Sequence, residues 1–248
     1  MPRLDFRAQR LFVDHPLQAG AVIPLDSHQA NYLGNVLRLS AGSSILIFNG
    51  RDGEWRATFG GERRRPALTT AEQVRPQDSS GDIRYAFALL KHARLDYTVQ
   101  KAVEMGASEL CPVITQHTQV GRVKLERLRA NVIEAAEQCG ILSLPSVHEP
   151  VTLETLLATR DGRRLLVFCD EDADPADPIA ALRAASARFG VDLVIGPEGG
   201  FADNERRSLL GQPHLVRLSL GPRILRADTA AVAALALVQA AFSRHEAQ

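Results

Sequence analysis

Cysteine, lysine, tryptophan and long apolar runs are all scarce in this chain. The three cysteines, Cys111, Cys139 and Cys169, are odd in number and far apart. That excludes a disulfide framework and suits a reducing compartment. They lack metal-site spacing, and the seven histidines form no i,i+4 pair, so no metal is expected. The longest apolar run, Ala230 to Val238, is nine residues, against about 20 for a membrane span. No membrane partner is therefore expected. Met1-Pro2-Arg3-Leu4-Asp5 lacks the apolar stretch of a secretory leader, which points to the cytoplasm. There is no Gly-Lys-Ser/Thr phosphate loop, no Gly-x-Gly-x-x-Gly and no Gly-x-Ser-x-Gly elbow. The missing phosphate-loop lysine disfavours a nucleotide-binding α/β enzyme. Net charge is zero and 45% of the 248 residues are hydrophobic, which excludes extended disorder.

What is present begins with arginine. Only Lys91, Lys101 and Lys124 are lysines, against 26 arginines. Guanidinium groups bind phosphate bidentately and stack on bases, although GC-rich codon usage accounts for the bias equally well. Residues 1–75 carry ten basic and seven acidic side chains, and residues 84–130 carry eight and four. The basic charge sits in the first half, so nucleic acid is a permitted partner.

Residues 1–75 read as short strands around one helix. Arg10 to Val13, Ser44 to Phe48 and Glu54 to Phe59 are strand-like. His28 to Leu39 places Ala30, Leu33, Val36 and Leu37 on one helical face, with Asp26 or Ser27 as the cap. The pattern predicts a small β-barrel. The breaker-rich stretch from Val74 to Asp82 reads as a linker, so the domains are placed at 1–75 and 76–248. Beyond it strands alternate with helices. Strands are expected at 85–90, 110–114, 165–169, 191–195 and 215–218, and helices at 95–105, 125–139, 179–189, from about Asp203, and at 229–242. That alternation predicts an α/β domain with a mainly parallel sheet. The last helix is apolar almost all round and must be covered on most sides, in the core or against another subunit.

Three segments stand out chemically. Gly196-Pro197-Glu198-Gly199-Gly200 follows a buried strand, where glycines let backbone approach a ligand at a strand's C-terminal end. Leu218 to Thr229 opens the last helix. Asp228 and Thr229 there suit capping, whereas Arg223 and Arg226 oppose the helix dipole and favour an anionic partner. Lys91, Arg94 and Lys101 gather at the start of a helix as a phosphate-contact patch. A solvated face with a Lys101–Glu104 pair explains them equally well.

Together these segments resemble the RsmE family of bacterial 16S ribosomal RNA uracil-N3 methyltransferases, within the SPOUT superfamily. The likeness is carried by Arg10-Leu11-Phe12-Val13, the stretch from Tyr32 to Leu39, and Lys91, Arg94, Gln100-Lys101, Glu104 and Gly106. It continues through Glu137-Gln138-Cys139-Gly140, the segment from Ile195 to Phe201, and Leu220 to Arg226. It implies a PUA-like RNA-binding barrel, then a knotted (trefoil) mainly parallel sheet with helices on both faces. It also implies a homodimer and S-adenosyl-L-methionine held by three loops. The cofactor residues it implies are Cys169, Asp170, Gly196, Pro197, Glu198, Gly199, Gly200, Leu218, Leu220, Gly221, Arg223, Ile224 and Leu225. Ile141 stands where the family usually has Arg, Ala202 where it often has Ser, and Ala227-Asp228-Thr229 where it usually has Thr-Glu-Thr. Asp203 is expected to supply the cap that Ala202 cannot.

The implied reaction methylates N3 of one uridine in the 16S rRNA of the small ribosomal subunit. Arg226 is expected to stabilise charge on the uracil carbonyls, and Asp228 is a candidate base. N3 lies on the pairing edge, so the base must be unpaired or flipped out. Arg10, Arg38, Lys91, Arg94, Lys101 and Arg122 are expected to hold the RNA backbone. The alternatives are a SPOUT enzyme for another RNA position and a non-catalytic RNA-binding or ribosome assembly factor.

Overall fold

The computed structural model describes residues 8–62, 65–118, 123–173, 177–185 and 187–242. Arg122, and Arg63 and Arg64 of the arginine triplet, lie outside them. The chain forms two compact units, Met1–Ser79 with Ala136–Leu144, and Ser80–Ala135 with Pro145–Gln248. The boundary thus lies at 79/80 rather than the expected 75/76, and residues 136–144, expected in the second unit, belong to the first.

In the first unit five strands form one sheet: β1 (Arg10–Phe12), β2 (Val22–Pro24), β3 (Ser44–Phe48), β4 (Glu54–Glu62) and β5 (Arg65–Arg75). Their order is β1-β3-β4-β5-β2, with β1 parallel to β3 and the other pairs antiparallel. Leu11, Val13, Ile23, Leu33, Ile45, Ile47, Ala57 and Leu68 make its core. The single helix expected over 28–39 is instead α1 (Ser27–Asn31) followed by a π-helical turn, Tyr32–Val36. Asp26 caps α1 by accepting from the Gln29 amide at 2.8 Å. The Leu37 amide then reaches back five residues to the Tyr32 carbonyl, and Arg38 leaves in the left-handed region at φ 55. Gly34 lies inside that turn and weakens the regular α pattern there.

The second unit is built on a parallel sheet. Its strands are β6 (Ile83–Ala88), β7 (Glu109–Ile114), β8 (Ser146–Val147), β9 (Val151–Thr152), β10 (Leu165–Cys169), β11 (Val191–Ile195) and β12 (Leu215–Leu218). The order is β12-β10-β11-β6-β7-β8, with β9 also on β7. All of these pairings are parallel. The helices are α2 (His92–Glu104), α3 (Leu125–Cys139), α4 (Leu153–Thr159), α5 (Pro178–Ala184), α6 (Asp203–Leu210) and α7 (Ala227–Phe242). On one sheet face Ala86, Cys111, Val113, Phe168 and Val194 pack with Leu153, Leu156 and Leu157 of α4 and Leu209 of α6. Helix α7 packs with α2, α5 and β11. Helix α5 is shorter than the expected 179–189 because Ala185 is already extended.

Opposite the ends that form the site, Asp192 of β11 is 2% exposed and sits among three guanidinium groups. Arg84 reaches it at 2.6 Å, Arg164 at 2.6 Å and Arg160 at 3.2 Å. One carboxylate thus draws together cations from β6 and from the stretch between α4 and β10, where Arg164 also pairs with Asp82 at 2.7 Å. Removing one partner of a buried ion network leaves uncompensated charge, at a cost of about 3–5 kcal/mol. Asp192→Ala is therefore expected to lower the urea midpoint by a shift of that size. A loss under about 1 kcal/mol, the range of an exposed pair, would contradict this account.

Candidate functional site

Strands β10, β11 and β12 are parallel neighbours, so their C-terminal ends open on one edge of the sheet. Ligands of open α/β sheets bind at such edges. The loops that follow, with the start of α7, enclose a cavity of about 590 Å³. Every residue expected from the sequence to hold a cofactor lines it, except Gly199. Phe201, Arg206, Ala227 and Ala230 line it too, outside the expected cofactor residues.

The glycine segment is a tight turn, closed by the Gly200 amide on the Pro197 carbonyl at 2.9 Å. Its glycines have different reasons to be there. A Cβ on Gly196 would stand 2.7 Å from the Phe201 ring. Gly200 has φ +69, which side chains disfavour. A Cβ on Gly199 would meet His117 at an ordinary 3.5 Å. Glu198 of this turn is ion-paired with Arg94 of α2. The cap at the next helix differs from expectation. Ala202 occupies the cap position, and Glu205, not Asp203, accepts its amide at 3.0 Å.

The first loop begins at Cys169, whose thiol burial pushes up to about 12. It is neutral at physiological pH and offers no ready nucleophile. Beside it Asp170 is 5% exposed. Burial would raise its carboxyl, but hydrogen bonds from Arg206, Arg217 and the Asp172 amide outweigh this and hold it below the ordinary value. Arg206 donates to it from α6 at 3.0 Å and Arg217 from β12 at 2.8 Å. The Asp170 amide donates to the Leu218 carbonyl at 3.2 Å. Asp170 thus fastens the first loop to the elements beside the other two.

The third segment, 218–226, carries the open groups. Among the described residues the backbone of 220–225 makes no intramolecular hydrogen bond. Ile224 is 90% exposed, an unusual position for a large aliphatic side chain. Arg223 and Arg226 are exposed and form no ion pair among the described residues. The Arg226 carbonyl accepts the first hydrogen bond of α7, from the Ala230 amide at 2.8 Å. Asp228, in the first turn, accepts the Thr229 amide at 2.8 Å.

The basic residues expected on RNA fare differently. Arg10 is a correction. It is 4% exposed and donates to buried Glu54 at 2.8 Å, so it faces away from any phosphate. Arg75 donates to the same carboxylate. Arg38 and Lys91 are exposed. Lys101 holds both Glu104 oxygens at 2.7 Å, the pairing its spacing allowed. Elsewhere, Glu109, Cys111 and His148 bring ligand-type atoms within 4.8 Å of one another, a group no sequence spacing revealed. His148 there pairs with Glu109 at 2.9 Å, and burial pushes the Cys111 thiol up to about 12.

The chain matches the RNA methyltransferase domain model over residues 77–239 and the RNA methyltransferase PUA domain model over residues 25–68. The fold is thus that of an RNA methyltransferase with a PUA domain. The ribosomal RNA small subunit methyltransferase E of Synechocystis sp. is 32% identical over 94% of this chain and 78% of its own length. That of Rickettsia conorii is 29% identical over 93% of this chain and 94% of its own. Lpg2936 from Legionella pneumophila, solved with its cofactor SAM, superposes with a TM-score of 0.81 at 29% identity, covering 95% of this chain and 98% of that one. The enzyme from Neisseria gonorrhoeae, solved with S-adenosyl methionine, gives 0.80 at 25% identity over 94% and 98%. This chain belongs to the ribosomal RNA small subunit methyltransferase E (RsmE) family.

Two outcomes follow from the glycine turn and its support. Gly196→Ala must displace Phe201 and is expected to lower the thermal midpoint, whereas Gly199→Ala is expected to leave it within error. Equal effects would refute the assignment of distinct roles. Asp170 has a lowered folded-state pKa, so its contribution to stability is complete above its ordinary 3.8 and fades as pH falls below it. Asp170→Asn should flatten that acid limb in urea titrations between pH 2 and 7; an unchanged limb would contradict the role.

Proposed function

We propose that this protein transfers the methyl group of S-adenosyl-L-methionine to N3 of one uridine in the 16S rRNA of the small ribosomal subunit. The observation that carries the reading is the cavity where β10, β11 and β12 end, in a chain of this family. The residues present fit the cofactor. The cavity falls within the roughly 300–1,000 Å³ of small-molecule sites, and its third wall offers unbonded backbone groups beside Leu220, Ile224 and Leu225. Apolar side chains beside open amides suit a purine, which needs stacking surface and hydrogen bonds at its edge.

When bound, S-adenosyl-L-methionine supplies a methyl group made electrophilic by its sulfonium. The glycine turn and the backbone of 218–225 hold the adenosyl part. Arg226, exposed and without an ion-pair partner among the described residues, stands ready to offset negative charge on the uracil carbonyls as N3 loses its proton. Asp228 takes that proton. It lies in the first turn of α7, two residues beyond Arg226. Arg38 and Lys91, both exposed, hold the RNA backbone with Arg94, Lys101 and Arg122. The first unit, matched by the PUA model, is an RNA-holding element.

We further propose that the C-terminal region is threaded as a trefoil knot and that two copies form a dimer. The strand order supports the first, since β12 lies on the far side of β10 from β11. The second is supported by the partly open apolar face of α7, with Val232, Ala233, Ala236, Leu237 and Ala240 none of them fully buried. Among the described residues no helix is long and apolar enough to cross a membrane. The reading places the protein in the cytoplasm, with its substrate.

The deciding experiment is transfer of labelled methyl from S-adenosyl-L-methionine to small ribosomal subunits, followed by mass spectrometry of the modified nucleoside. Labelled 3-methyluridine is expected; label at another position or none would overturn the proposal. Arg226→Ala should lower turnover about 10²–10³-fold, the loss typical of one removed charge stabiliser. Full turnover in that variant would remove Arg226 from the chemistry. Lys91→Ala should weaken RNA binding and reduce its salt slope by about 1; an unchanged slope would exclude a phosphate contact.

A further inference from the structure

The glycine turn is held from outside the cavity by a segment that the proposed chemistry does not use. Residues 115–118, directly after β7, form a hydrogen-bonded turn of their own. The Thr118 amide donates to the Thr115 carbonyl at 3.0 Å, and the Thr115 amide donates to the Thr118 hydroxyl at 2.9 Å. Thr115 is buried at 6% exposure, which anchors the loop to the sheet. Two groups at its tip face the second cofactor wall. The Gln116 amide donates to Glu205 Oε1 at 2.9 Å. The other oxygen of Glu205 accepts the Ala202 amide, so Gln116 braces the start of α6.

The second group is His117. Its Nδ1 lies 3.1 Å from the Gly199 carbonyl and 3.2 Å from the Gly200 carbonyl. A carbonyl oxygen only accepts, so Nδ1 must carry the hydrogen. The ring is therefore the Nδ1–H tautomer, or the imidazolium, and shares one donor between two acceptors. Gly199 leaves room for this approach, with its would-be Cβ 3.5 Å from the His117 Cβ. Gly200 needs fixing, because its φ of +69 is one of several conformations a glycine can take. Gly200 lines the cavity and His117 does not.

We infer that His117 is a positioning residue: through Nδ1–H it fixes the carbonyls of Gly199 and Gly200, and so presents the second cofactor wall already in its binding shape. This rests on the reading of the cavity as an S-adenosyl-L-methionine site. A free turn would have to be ordered on binding, and prior ordering removes that cost from the affinity. The residue type matters in a specific way. Asparagine can place an amide N–H near the position of Nδ1, whereas glutamine reaches further, toward that of Nε2.

The test measures S-adenosyl-L-methionine binding to the full-length protein by titration calorimetry for wild type and for His117→Ala, His117→Asn and His117→Gln. His117→Ala is expected to bind about five- to tenfold more weakly, the scale of one shared hydrogen bond. His117→Asn should recover most of the affinity and His117→Gln should not. In turnover assays the KM for the cofactor should rise in His117→Ala while kcat and the KM for RNA stay near wild type. Nitrogen-15 spectra of the wild-type ring should report a protonated Nδ1. Alanine binding as tightly as wild type, asparagine no better than alanine, or an unprotonated Nδ1 would each overturn the inference. Failure of wild type itself to bind would instead overturn the cofactor reading, and this inference with it.

Discussion

The buried carboxylate of Asp170 is the contact on which the rest of the site depends. Three loops that leave neighbouring parallel strands have no backbone ladder to hold them once the strands end. Asp170 replaces that ladder with two guanidinium partners, Arg206 from α6 and Arg217 from β12, and with its own amide on the Leu218 carbonyl. A carboxylate so deep in the protein is costly unless each oxygen is satisfied. Here the partners outweigh the burial and the group stays ionised. The first and third loops are thus joined by charge before any ligand arrives, and the glycine turn adds a wall of backbone that His117 holds from outside.

Much of this was legible in the sequence. The strands at 165–169, 191–195 and 215–218 are short and mostly apolar, broken only by Asp192 and Arg217, and they lie where expected. Gly106 and Gly140 take the left-handed conformation expected of glycines closing α2 and α3. The glycine turn was visible because no common structural element needs three glycines in five residues. The polar counterparts of the site were not visible. Arg206 and Arg217 read as ordinary surface arginines, and nothing local marks them as partners of a carboxylate 36 and 47 residues away. His117 was hidden for the same reason, since its acceptors lie 82 and 83 residues further on.

The first unit shows the other limit. Strand β5 (Arg65–Arg75) carries little strand signal, because Thr69, Glu72 and Gln73 dilute its apolar alternation. Its identity comes from the long antiparallel pairing with β4, which is tertiary information. Arg10 differs from expectation because strand periodicity tells which way a side chain points only when its inward partner is known. Glu54, 44 residues away, is that partner. The π-helical turn at Tyr32–Val36 keeps roughly helical spacing, so hydrophobic periodicity could not separate it from a continued α-helix.

The return of Ala136–Leu144 to the first unit has a consequence for biosynthesis. Glu137 accepts the Phe12 amide at 2.8 Å, and the Gly140 carbonyl accepts from Arg75 at 2.8 Å. Arg75 is also a partner of buried Glu54. The N-terminal unit is therefore incomplete when its last strand, β5, leaves the ribosome's exit tunnel. It must wait for residue 144 to emerge, by which time β6, α2, β7 and α3 have been translated, and the two halves of the polypeptide mature as an interleaved pair rather than one after the other.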